Sequence, residues 1–196
     1  MIEITFRMEK EEFEKLSKQY SSLVKDLIED NFLYTNINER IKWTFGWDDN
    51  PAITATVSRG TNIISVNVVF VDRAYRENRV FDIEYFLLHE MRHIYQHIQI
   101  QKYKSKEHTI GEAFILKWIE EGKNYIKSLD ENGNENPDYY KQDCELDAYA
   151  FSYAVMSYKY SRKYNPLLFV PEIYKHELKE EFDSAVSEFL GVLTVE

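Results

Sequence analysis

The period of the apolar residues changes along this chain, and that change constrains the fold more than any other feature. Between residues 41 and 71 the period is two. Ile41, Trp43, Phe45 and Trp47 alternate with polar residues or glycine, and Ile64, Val66 and Val68 alternate with Ser65 and Asn67. Val69 and Phe70 continue the second run, and residues 53–57 form a short, mostly β-branched segment between the two. Alternation buries one side of a segment and wets the other, as in a half-buried strand. Asp48-Asp49-Asn50-Pro51 and Ser58-Arg59-Gly60-Thr61-Asn62 read as turns between them. On both sides of this stretch the period is helical. Residues 9–30 carry Phe13, Leu16, Tyr20, Leu23, Leu27 and Ile28 on one face.

After residue 71 everything reads as helix. Asp82 suits the start of a helix running to about Lys102. Thr109-Ile110-Gly111-Glu112 fits a capping box that opens another, to about Leu129. Asn136-Pro137 supplies an N-cap and a first-turn proline for a third, to about Lys163, before Asn165-Pro166. Pro171 opens the last, with Ile173, Phe182, Ala185, Val186 and Phe189 on its apolar side and Gly191 as its stop. With six glycines and four prolines in 196 residues, there are few places for the chain to break. Strands early and helices late define an α+β class. The expected architecture is a small antiparallel sheet of three strands, with residues 1–6 as a candidate fourth, packed on a helical bundle. A chain of this length fits one domain, residues 1–196.

The net charge of −10 would repel a phosphate backbone, which argues against direct nucleic-acid binding. The lone cysteine, Cys144, allows no internal disulfide. The first residues are charged too early for a signal peptide, and no apolar run nears the ~18–20 residues that span a bilayer. The expectation is a cytoplasmic protein with no membrane partner. Asp130, Asn132, Asn134, Asn136 and Asp138 alternate like calcium-loop ligands. Gly133 stands at the fourth position instead of the sixth, however, and Lys141 stands where a bidentate Glu is needed. A solvated loop is the better reading.

The chemistry sits in residues 87–97, Leu-Leu-His-Glu-Met-Arg-His-Ile-Tyr-Gln-His. His89-Glu90-x-x-His93 is the zinc-hydrolase motif. Residues four apart on a helix differ by ~40° and ~6 Å of rise, so two imidazoles can reach one ion at ~2.0–2.1 Å. Glu90, beside the first ligand, can take a proton from metal-activated water without binding the ion. Leu87, Met91, Ile94 and Ile98 form one interior stripe, and Phe86, His89, His93 and Ile100 its neighbour. Core histidines without catalysis, or a structural zinc, are the competing reading. A catalytic zinc usually takes a third protein ligand and keeps one position open. The best source of that ligand is residues 143–151, Asp-Cys-Glu-Leu-Asp-Ala-Tyr-Ala-Phe, where Asp143, Glu145 and Asp147 compete, with Glu112 as an outside rival. His97 lies ~12 Å of helical rise from His89, too far to share an ion. Cys144 is better explained by packing.

Here the chain resembles a known family. His89-Glu90-x-x-His93 followed by Glu145-x-Asp147-Ala148-x-x-Phe151 is similar to the gluzincin zinc metallopeptidases, closest to the small ImmA/IrrE-type peptidases. The likeness covers roughly residues 9–155. It implies a zincin-like fold with the motif on a central helix, one zinc ion, and His89, His93 and Glu145 as its ligands. It also implies Glu90 as general base, and Ala148 as the small residue that lets two helices approach. The implied substrate is a specific protein or peptide, with transcriptional regulators among the candidates. Three departures stand out: Tyr149 where the family often has Asn or Asp to orient a ligating histidine, Arg92 where it often has Gly, and a long gap of 52 residues between His93 and Glu145.

For the oxyanion, Tyr95, Arg92, Tyr149, Tyr153 and His176 are candidates. Residues 63–70, as an open sheet edge, would pair with an extended peptide. A zincin fold that binds without cleaving, and an accidental motif, complete the set of readings.

Overall fold

The structure, a computed structural model, describes residues 8–50, 53–58, 60–160 and 169–194. The expected strand at residues 1–6 and the expected helix end near Lys163, before Asn165-Pro166, lie outside them. The class is α+β, with seven α-helices and a three-stranded mixed sheet among the described residues. None of these helices is long and apolar enough to cross a membrane. The chain divides into two compact units, Met1–Met91 and Arg92–Glu196. The boundary falls inside one uninterrupted helix, so each unit holds part of it.

In the first unit, α1 (Lys10–Phe32) buries Leu16, Tyr20, Val24, Ile28 and Asn31 along one stripe. Strands β1 (Lys42–Gly46), β2 (Ala55–Val57) and β3 (Ile63–Asn67) follow, then α2 (Val68–Arg76) and the first half of α3 (Val80–Ser105). The sheet order is β1-β3-β2, with β1 parallel and β2 antiparallel to β3. This corrects the expected antiparallel sheet. The strands do alternate in direction along the chain, but β3 inserts between the two earlier ones. β3 carries the most buried side chains of the three, Ile64 and Val66, and takes the place where both of its edges are paired. It therefore has no open edge, which removes residues 63–70 as a peptide-pairing strand. Gly46 sits opposite Asn67 in this register, and a Cβ there would come within 2.8 Å of Ser65 Oγ.

Residues 68–70 are helix, not strand, and Asn67 is the reason. Its Oδ1 accepts from Val69 N and caps α2. The same oxygen accepts from Asp48 N, while Nδ2 donates to Asp48 O (2.9 Å) and Ile53 O (2.8 Å). One buried amide thus ends the strand, starts the helix and pins the β1–β2 connection. Further along, Tyr20 donates to Asp72 (2.8 Å), joining α1 to α2, and Asn31 donates to Glu84 (2.8 Å), joining α1 to α3.

The second unit contains the rest of α3, α4 (Glu112–Lys123), a 3₁₀ turn (Pro137–Lys141), α5 (Asp143–Tyr160), α6 (Glu172–His176) and α7 (Lys179–Leu193). The capping box at residues 109–112 does not form. Thr109 instead exchanges two hydrogen bonds with Gln99, and α4 begins at Gly111 without a side-chain cap. Asn136 caps only the 3₁₀ turn. α5 starts afresh at Asp143, where Glu121 of α4 accepts from the backbone N–H of Asp143 (2.5 Å) and Cys144 (3.0 Å). A carboxylate on leading amides satisfies orphan donors and favours the helix dipole. The expected last helix is two, broken at residues 177–178, and Gly191 lies within α7 instead of ending it. α5 packs along α7 through ring pairs Phe151–Phe189 and Tyr153–Phe182, each 5.5 Å apart.

Candidate metal centre

α3 is buried nearly all round, from Asp82 through Gln99, because its apolar residues occupy more than one stripe. That burial carries the motif inward. His89 is 3% exposed and Glu90 7%. α5 is also enclosed, and in its first turn Glu145 is completely buried. His89, His93 and Glu145 form a group whose ligand atoms all lie within 4.8 Å of one another and could hold a metal ion. His93 Nε2 and Glu145 Oε2 are 3.5 Å apart. Two ligands bound tetrahedrally at ~2.0–2.1 Å are themselves ~3.3 Å apart, so this pair is close to coordinating distance. A buried carboxylate beside two imidazoles suits a cation better than it suits an apolar core.

The rivals are occupied elsewhere. Asp143 accepts from Lys117, Glu112 from Tyr103, and Asp147 from Arg92 and Gln96. His97 and Cys144 are not in the group. Burial, and then the charge of Glu145, push the Cys144 thiol well above its usual range. Glu90 also stands outside the group.

Three side chains that the sequence did not single out shape the centre. Tyr125, just past α4, donates to Glu145 Oε1 at 2.7 Å. Burial and the adjacent carboxylate push its phenol pKa up, which keeps the donated proton in place. Tyr139 is pushed up in the same way, by burial first and by Glu145 next. Gln96 meets His93: Oε1 lies 2.8 Å from His93 Nδ1, while Nε2 donates to Cys144 O (2.9 Å) and Asp147 Oδ2 (2.7 Å). Asp147 is gripped in turn by Arg92 through Nε (2.8 Å) and Nη2 (3.0 Å). The spacing of Gln96 from His93 was a usable signal, since residues three apart on a helix face each other. Tyr125 gave none, being one tyrosine of 15.

The expected oxyanion donors fare less well. Arg92 is committed to Asp147. His176 is exposed and paired with Glu172 on its own helix. Tyr149 is buried among the rings of Tyr140 and Tyr174, and the Tyr95 ring lies under the Arg92 guanidinium. Tyr153 packs its ring on Phe182.

Comparison of the chain with protein-family models, with curated proteins and with solved structures finds no match.

Proposed function

We propose that this chain is a zinc-dependent metallopeptidase with a zincin-like fold, similar in its motifs to the ImmA/IrrE-type gluzincins. His89, His93 and Glu145 would hold one zinc ion, with Glu90 as general base. The supporting observation is that Glu145, 52 residues beyond His93, lies in one group with both histidines. Two imidazoles and one carboxylate are a donor set that suits zinc, and three protein ligands leave the fourth position that catalysis needs. When bound, zinc supplies a Lewis acid toward the scissile carbonyl and lowers the pKa of water toward ~7. Glu90, next in the chain to His89, takes the proton of the attacking water and returns it to the leaving amine. Tyr125 holds one oxygen of Glu145 and so orients the carboxylate. The substrate class proposed is a specific protein, with transcriptional regulators as first candidates, and the compartment proposed is the cytoplasm.

One observation favours a second reading, a metal-holding zincin fold that binds without cleaving: the commitment of Arg92 to Asp147 and of His176 to Glu172 removes two expected oxyanion donors. Zinc per chain, by elemental analysis, and cleavage of an unstructured protein substrate separate the readings. The peptidase predicts about one zinc in the parent and in Glu90→Gln, a large loss in Glu145→Ala, and cleavage by the parent alone. Equal activity of the parent and Glu90→Gln, with zinc in both, would favour the binding module. Failure of the parent to take up zinc on titration would sink both.

A further inference from the structure

A ligating histidine works only if its second ring nitrogen has a partner that fixes the tautomer and the ring plane. The family often supplies that partner as an Asn or Asp after the alanine, where this chain has Tyr149, with its ring buried among Tyr140 and Tyr174. The role is nevertheless filled from another element. Gln96 and His93 share a face of α3, and the amide reaches Nδ1 at 2.8 Å.

An amide can present either its oxygen or its NH₂ to the ring, and the two ends would select opposite tautomers. In this chain the choice is made elsewhere. The NH₂ of Gln96 has two acceptors, Cys144 O and Asp147 Oδ2, both on α5. Asp147 faces both Gln96 and Arg92 as an acceptor, taking two bonds from the Arg92 guanidinium. Arg92 is itself 9% exposed, with its guanidinium 4.3 Å from the Tyr95 ring centroid and 4.7 Å from that of Phe189. The NH₂ therefore faces α5, the oxygen faces the imidazole, and His93 must carry its proton on Nδ1. Nε2, the atom 3.5 Å from Glu145, is left as the ligand atom.

We propose that Gln96 is the positioning residue for His93, and that Asp147, clamped by Arg92, sets which end of the Gln96 amide faces the ring. The proposal deepens the zinc reading, since it names what aims one of the ligands. It also explains the second departure from the family pattern: Arg92, where glycine was expected, supplies the clamp.

The test begins with metal-free parent protein, ¹⁵N-labelled at histidine and held at a pH where imidazole is neutral. Ring ¹⁵N shifts should report His93 as the Nδ1–H tautomer. Gln96→Ala should give mixed tautomers and, by competition against a chromophoric chelator, zinc affinity lower by roughly 10–100-fold. Asp147→Asn, which places an amide against the Gln96 amide, should shift the tautomer mixture in the same direction with a smaller loss of affinity. Circular dichroism of each variant checks that the helices persist, and the parent's own tautomer needs no variant at all. An Nε2–H tautomer in the parent, or unchanged tautomer and affinity in a folded Gln96→Ala, would overturn the proposal. A fixed Nδ1–H tautomer in a parent that takes up no zinc would support the positioning role while overturning the peptidase reading.

Discussion

The two units bury polar side chains in different ways. In the first, three buried polar side chains fasten elements to one another. Asn67 joins a strand, a helix and a loop, Asn31 ties α1 to Glu84, and Tyr20 ties α1 to Asp72. In the second, one connected set of hydrogen bonds leads toward the candidate metal ligands. Arg92 holds Asp147, Asp147 holds Gln96, Gln96 meets His93, and Tyr125 holds Glu145. Burial costs are similar in kind, since each polar group needs a partner. The difference is where the bonds end. Bonds that end on a neighbouring helix or a loop fix the fold, whereas those that end on the His93 imidazole and the Glu145 carboxylate bear on the candidate metal centre.

That contrast can be broken by substitutions that separate stability from metal binding. Glu145→Gln should lower zinc affinity by more than the ~100-fold that loss of a ligand's partner costs. It should leave the urea midpoint of the metal-free chain unchanged or higher, because functional polar groups are commonly held against stability. Asn67→Ala should do the reverse. It strands backbone groups of Asp48, Ile53 and Val69, and should cost about 2–4 kcal/mol in urea unfolding with zinc affinity untouched. Equal damage to metal binding in the two variants would end the distinction. A smaller effect is expected for Tyr125→Phe. Zinc affinity, read by chelator competition, should fall about 10-fold with little change in melting temperature.

The smallest effect is a pH dependence in the fastening network. Burial, then the bond to Asp72, push the Tyr20 phenol from 10.0 up to about 12. A raised folded pKa means that the protonated phenol stabilises the fold fully below pH 10, and that this contribution is lost as pH rises through about 12. Urea midpoints of the parent and of Tyr20→Phe should therefore converge across that window. A gap that widened there would reverse the assignment.

The legibility of the sequence follows the same division. His89 and His93 were readable because both lie on one helix and helical geometry fixes their spacing. Glu145 was readable only by resemblance, since nothing local says which of three nearby acids turns inward. The helix α1 was plain from its stripe. The order of the strands was not, because alternation marks a half-buried strand without naming its neighbours, and β3 could equally have been an edge. The run at residues 68–70 looked like strand because β-branched residues suit either element when buried. The deciding residue was Asn67, whose capping role depends on a loop 14 to 19 residues earlier. Gln96 was passed over because a glutamine on a helix is usually solvated, and here it is 3% exposed.

The two oxygens of Glu121 sit on the first amides of α5, in the same turn as Glu145. They act as an end stop for that helix. A helix that began one residue earlier or later would turn its side chains by ~100°, and Glu145 would swing off the histidines. The segment that lengthens this chain between His93 and Glu145 is thus also the piece that indexes the rotation of α5, so deletions within it should cost the site its aim before they cost the chain its helices.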